Sequence, residues 1–145
     1  MKRLLLAFLL CSLEAAASTP RPADEGVRFR TLDVVLTSDA PIAAWQVEIT
    51  TDGGDSRIVG VEGGAEAPFD APPRHDPAAL QSGRIILAAF DTGRALPAGK
   101  HRVATLHLRE AGAAPRYQIE LVAAGDPAGE RVSATVTVDP RSPTP

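Results

Sequence analysis

The sequence predicts an all-β protein, an antiparallel β-sandwich that is jelly-roll-like and has about seven to nine strands. From Val27 onward the dominant spacing of apolar residues is two, the period of a strand with one buried face. Gly and Pro fall almost wholly between the alternating runs, at positions where turns require them. No stretch of about ten residues after residue 26 has a helical period.

The first half of this pattern predicts three strands. Residues 27–36 form the first, but Phe29 has the opposite parity to Leu32, which predicts a β-bulge within the strand. Trp45 begins a second strand in which it shares a face with Val47 and Ile49, so we expect its ring to be buried. A short strand at 58–61 ends at a pair of glycines.

The second half begins with a long connection, 65–83, and continues with four strands. Asp76 followed by Pro77 indicates a helix N-cap and a single helical turn within the connection. Residues 84–90 are apolar on both parities, which is typical of a central strand. Alternating runs at 103–109, 116–123 and 132–139 complete the predicted sandwich.

The N-terminus has the three parts of a secretory signal. Lys2 and Arg3 precede an apolar run at 4–10, and small residues lead to a predicted cleavage after Ala17. The only cysteine, Cys11, lies within this segment. We therefore expect a secreted or periplasmic protein. Its divisions would be a signal peptide at 1–17, a flexible segment at 18–26, one sandwich domain at 27–139 and a disordered Pro-rich tail at 140–145.

Charge and hydropathy exclude some partners. The formal net charge is −3 and no cluster of Lys and Arg occurs, so we expect no nucleic-acid partner. The signal-like run is shorter than the roughly 20 apolar residues that a membrane span requires, and no later segment is apolar enough.

Catalytic signatures are absent from the pattern, so we expect no enzyme. No Ser lies in a Gly-x-Ser-x-Gly elbow, and the chain after Ala17 has no thiol. His75 is adjacent to Asp76, but neighbours in sequence rarely have the geometry of a base and its orienter, and Asp76 is better explained as the N-cap. A hydrolase working from the long connection is the weakest hypothesis.

Two further patterns bear on ligands. Asp52 and Asp55 flank two glycines and could offer oxygens to Ca²⁺, although the spacing differs from an EF-hand loop and Asp-Gly is common hairpin chemistry. We expect no cofactor, with calcium as the one possibility. Phe69, Arg74 and His75 lie in the long connection, where Phe69 is the better candidate for an exposed ring than Trp45.

The order of these segments resembles a known family. The carrying stretches are 41–52, an alternating strand that runs into Asp52, followed by 58–64, 83–90 and 102–108. Together they are similar to cohesin domains of cellulosome scaffolds and to the related carbohydrate-binding-module superfamily, which are nine-stranded jelly-roll-like sandwiches. The resemblance implies that fold and a protein or glycan partner. The chain is shorter than most cohesins, and no scaffold linker or dockerin repeat accompanies it.

The sequence therefore favours a non-catalytic exported binding module. Such a module would dock a protein, either dockerin-like or an envelope component, or a polysaccharide, through a sheet face or the 65–83 connection. The alternative is a structural or accessory subunit of an envelope or secretion assembly that uses strand addition at a free sheet edge.

Overall fold

The chain folds as a sandwich of seven antiparallel strands in two sheets. The computed structural model describes residues 26–141. The elements are β1 (Arg28–Ser38), β2 (Ala44–Asp52), β3 (Asp55–Gly63), a 3₁₀ helix (Pro77–Gln81), β4 (Arg84–Phe90), β5 (Gly99–Ala111), β6 (Arg116–Gly125) and β7 (Ala134–Arg141). The first sheet has the strand order β3-β5-β1-β7 and the second has the order β4-β2-β6. The predicted all-β sandwich is thus confirmed.

The core lies between the two sheets, because each strand turns one parity of apolar side chains inward. Val34 and Leu106 from the first sheet and Val47 and Leu87 from the second are fully buried. Trp45 is 2% exposed, as its parity with Val47 predicts. Alternation of the sequence therefore decided most of the core correctly.

Three bulges change the parity along the ladders. The pairing with β1 skips Val103 of β5, the pairing with β5 skips Val59 of β3, and the pairing with β2 skips Val122 of β6. The bulge predicted in β1 was wrong, because β1 keeps one register with β5 from Arg28 to Val34. Phe29 has the opposite parity because it lies on the outer face of the sheet.

Strand β4 was predicted to be central, and that was wrong: β4 is an edge of the three-stranded sheet. The long connection covers this edge. The Arg74 N–H donates to the Ala88 carbonyl over 2.8 Å, and the Ala88 N–H donates back over 3.0 Å. A strand whose edge is covered in this way can be apolar on both parities, which explains the misleading pattern.

The predicted boundaries are correct in part. Pro140 and Arg141, assigned to a disordered tail, continue β7 and lie opposite Leu32 and Thr31 of β1. Pro is tolerated there because β7 is an edge strand. The predicted signal peptide, the rest of the flexible segment up to residue 25 and the tail from residue 142 lie outside the described residues.

The predicted helical turn is confirmed as the 3₁₀ helix. Asp76 is its N-cap, and its Oδ1 accepts the Ala78 N–H over 2.9 Å. Pro77 occupies the first turn, where its missing N–H costs nothing. Asp76 therefore has a structural role, as its position before Pro77 indicated.

A buried carboxylate closes one end of the sandwich. Glu110 of β5 is 0% exposed, and its Oε2 accepts the Arg28 Nε–H over 2.8 Å. The Tyr117 hydroxyl donates to Oε1 over 2.8 Å and lies 2.7 Å from the Ser56 Oγ. Arg30 contributes a second positive charge 3.8 Å away. Four strands, β1, β3, β5 and β6, thus meet at one network.

The network shifts two pKa values. Burial acts to raise the pKa of Glu110, but hydrogen bonds from Arg28 and Tyr117 and the charges of Arg30 and Arg28 outweigh it, so the pKa is lowered from 4.5. Burial, and the nearby Glu110 carboxylate, raise the pKa of Tyr117 from 10.0 to about 12. Both shifts favour the charge states that the folded network holds near neutral pH.

Candidate functional site

The long connection does not present the ring that was expected of it. Phe69 is 2% exposed and packs edge-on against Trp45, with ring centroids 6.0 Å apart. The prediction of an exposed ring at Phe69 was wrong, because the connection folds inward and uses Phe69 to cover the core. Phe69 therefore cannot stack on a sugar.

The other two residues predicted in this connection lie at the surface. The Arg74 guanidinium lies 5.8 Å from the centre of the Phe90 ring, a cation–π arrangement on the outer face of β4. His75 is half-buried, and its Nδ1 is 3.1 Å from the Pro73 carbonyl oxygen. No contact joins the Arg74 guanidinium, the His75 ring and Phe69 into one site.

Asp52 and Asp55 lie at the hairpin between β2 and β3. The Asp55 carboxylate is 3.4 Å from Arg109 Nη1 and 3.7 Å from Arg57 Nε. Within residues 26–141, no group of three or more His, Cys, Asp or Glu side chains is placed to hold a metal ion. The hairpin thus brings together two cations and a carboxylate, which is a poor donor set for Ca²⁺.

The most open apolar surface lies instead on the outer face of the four-stranded sheet. Phe29 of β1 is 72% exposed and Val59 of β3 is 55% exposed. Together they flank a groove of about 430 Å³, the Phe29 groove, whose lining side chains and backbone come from Phe29, Arg30, Thr31, Val59, Gly60, His107, Leu108 and Arg141. Exposed apolar patches of this kind mark interaction sites in soluble proteins.

Strand register explains how the groove forms. Gly60, His107, Thr31 and Arg141 lie in one row across β3, β5, β1 and β7. The bulge at Val59 adds a residue to β3 beside Gly60, so an apolar side chain is exposed next to a position without one. Since Gly60 has no side chain, the row is open where another residue would contact the His107 ring.

Charged side chains border both ends of the groove. On the β3 side the His107 Nε2 is 2.9 Å from the Glu62 carboxylate. On the β7 side Arg141 donates to both oxygens of Asp33 over 2.8 Å, and Thr105 donates to Asp33 over 2.7 Å. An apolar floor between polar ends is the usual anatomy of a protein interface.

The two exposed rings lie far apart in the fold. Phe90, 62% exposed, is on the outer face of the three-stranded sheet, whereas Phe29 is on the outer face of the other sheet. One polysaccharide chain cannot lie flat on both rings. Among the described residues, the expected platform of paired aromatic rings is therefore absent.

Sequence reasoning missed the groove for an identifiable reason. Val27 and Phe29 broke the alternation, and a bulge was assumed to return them to the core. A run of two aligned apolar residues on the polar parity is also the signal of an apolar outer face. Only the pairing of β3, β5 and β1 shows that Val59 and Phe29 are near each other.

The fold and the groove define this protein as a seven-stranded antiparallel β-sandwich with an apolar groove on one outer face. Comparison of the chain with models of protein families, with curated proteins and with solved structures gave no match. Between residues 26 and 141, no helix has the length and apolar character to cross a membrane.

Proposed function

We propose that this protein is a non-catalytic exported binding module that docks a protein partner through the Phe29 groove. The observation that carries the proposal is the exposure of Phe29 and Val59 on either side of Gly60. Two large apolar side chains held in water on a rigid sheet are stabilised when a partner covers them. Aromatic anchors of this kind dominate the energy of protein interfaces.

A protein partner is favoured over a polysaccharide by the chemistry of the surface. Sugar chains bind to paired exposed rings, and the exposed rings Phe29 and Phe90 lie on different sheets. The groove instead has one ring, one aliphatic side chain and charged ends, which suits an apolar side chain of a polypeptide with hydrogen-bonding groups around it. Export rests on the N-terminal signal pattern.

The resemblance to cohesin domains agrees with a protein-docking role, and it stays part of the proposal. The seven strands are fewer than the nine of that family. The groove on the β3-β5-β1-β7 sheet is proposed here from its own exposed side chains.

The test is capture of a partner. Immobilised protein is exposed to the secreted and envelope fractions of the source organism, and in parallel it is mixed with insoluble polysaccharides. We expect one protein to be retained by wild type and by Phe90→Ser, and to be lost with Phe29→Ser. Phe90→Ser is the matched control because it removes an equally exposed ring from the other sheet. Retention on polysaccharide with no protein retained would contradict the proposal.

A further inference from the structure

The two sides of the sandwich are closed differently. At the side formed by β3 and β4, the connection from 64 to 83 lies across the gap between the sheets. It is hydrogen-bonded to β4 through Arg74 and Ala88, and Ala79 and Leu80 pack against the core. At the side formed by β6 and β7, the described chain supplies no comparable cover.

Burial of the edge strands records this difference. On the covered side the inward side chains Ile85 and Leu87 of β4 and Ile58 of β3 are 1%, 0% and 8% exposed. On the other side every large inward side chain is only half-buried, namely Tyr117, Ile119 and Leu121 of β6 and Val136 and Val138 of β7. The gap between β6 and β7, called the open seam below, is thus lined by apolar groups that water still reaches.

The backbone of the open seam is also without a second neighbour. β7 pairs with β1 alone and β6 pairs with β2 alone. Between residues 26 and 141, the backbone hydrogen bonds near the seam that lie outside the sheet ladders are at its turn, such as the Val132 N–H to the Ala124 carbonyl over 2.9 Å. From Ala134 to Arg141 one edge of β7 is therefore open to a further strand.

We infer that the open seam binds an extended segment of another polypeptide, which adds to the free edge of β7 as an eighth strand. Its backbone would pair with β7, and its alternate apolar side chains would enter the seam between Val136 and Val138 on one side and Ile119 and Leu121 on the other. Strand addition to an edge combines main-chain hydrogen bonds with side-chain pockets in this way.

The covered side shows what kind of occupant fits. There the cover is extended backbone that bonds to an edge strand at Arg74 and fills the gap with side chains. The sequences that flank the sandwich, 18–26 and 142–145, have no alternation of apolar residues and contain several prolines, which cannot donate to a ladder. A second copy offering its own β7 is also unsuitable, because Val136 and Val138 already face its own core.

The edge itself lacks the usual protection against pairing. Natural edge strands carry charges, prolines or bulges that prevent the addition of another strand. The stretch from Thr135 to Val138 has only β-branched residues, and the first charge, Asp139, follows it. Such a stretch favours strand pairing.

The test adds a strand to the protein itself. The full chain is extended beyond Pro145 by nine residues that alternate Val with Thr or Lys, so that a hairpin can place them beside β7 at high effective concentration. We expect the melting temperature to rise by about 5 °C. The control extension has the same composition shifted by one position, which turns Val outward, and should leave the melting temperature unchanged. No rise, or an equal rise with both extensions, would overturn the inference.

A second measurement covers an extension that fails to fold. The same nine-residue peptide is added to the unmodified protein, and hydrogen exchange of the Val136 and Val138 amides is followed. Slower exchange at these amides, retained in Thr137→Asp on the outer face but lost in Val138→Asp, is the expected result. Unchanged exchange at millimolar peptide would contradict the inference. Because Phe29→Ser leaves the seam intact, this result does not depend on the proposed function.

Discussion

Replacing Glu110 by Ala is expected to lower the free energy of unfolding by about 3–5 kcal/mol, the usual cost of removing one partner from a buried ion pair. The substitution leaves Arg28 and Arg30 beside a gap without their counter-charge, and it removes the acceptor of the Tyr117 hydroxyl. Since the network joins β1, β3, β5 and β6, its loss weakens both sheets at one end. Urea unfolding followed by Trp45 fluorescence measures the effect.

Glu48→Ala is the matched control for this substitution. Glu48 makes a two-pronged ion pair with Arg84, with both N–O distances at 2.6 Å, but the pair lies at the surface and is screened by water. We expect a much smaller change for this variant. Equal effects of the two substitutions would show that burial of the Glu110 network is not what stabilises this end.

The same network sets the pH dependence of stability. Because the pKa of Glu110 is lowered in the folded state, its contribution is complete above about 4.5 and declines as the pH falls toward the folded value. Because the pKa of Tyr117 is raised to about 12, its contribution is complete below 10 and is lost between 10 and 12. Glu110→Gln should remove much of the decline below 4.5 in the unfolding free energy.

Phe69→Ala is expected to lower the free energy of unfolding by about 3–5 kcal/mol, as for other large-to-small changes at buried aromatic residues. The ring is 2% exposed and packs edge-on against Trp45. Removing it opens a cavity above Trp45 and loosens the connection that covers the edge of β4. Thermal unfolding and a change in the Trp45 fluorescence spectrum measure both consequences.

Phe90→Ala provides the comparison, since that ring is 62% exposed. Its removal costs only the contact with the Arg74 guanidinium, so the unfolding free energy should change by about 1 kcal/mol or less. If Phe69→Ala were as mild as Phe90→Ala, Phe69 would be a surface ring after all, and its availability to a ligand would return.

Sequence alternation predicted the sandwich and most of its core because strand burial is a local property of parity. Trp45 and the N-cap Asp76 were placed correctly for this reason, each from its immediate neighbours. Parity failed where long-range packing decides the outcome. Phe69 is buried by a contact with a strand more than twenty residues earlier, and β4 is covered at Arg74 by a segment with no pattern of its own.

The candidate site was beyond local reasoning because it is made by strand order. Val59 and Phe29 are thirty residues apart and approach each other only because β5 pairs with both β3 and β1. The bulge at Val59 cannot be recognised from 58–61 alone, since it is defined by the missing partner in β5. Of the residues predicted as binding groups, Arg74 and His75 lie at the surface without forming a site with Phe69.

The measurement that tests the docking role of the groove most directly is binding of the captured partner to Gly60→Val. A Cβ at Gly60 would lie 3.5 Å from His107 Cδ2, an ordinary contact, and Val suits a strand, so the fold should keep its stability within about 1 kcal/mol. The added side chain fills the groove without removing any group that could bind. If the Phe29 groove is the docking site, affinity falls at least about tenfold while thermal unfolding is unchanged. Undiminished affinity in a stably folded Gly60→Val protein would show that the partner binds elsewhere.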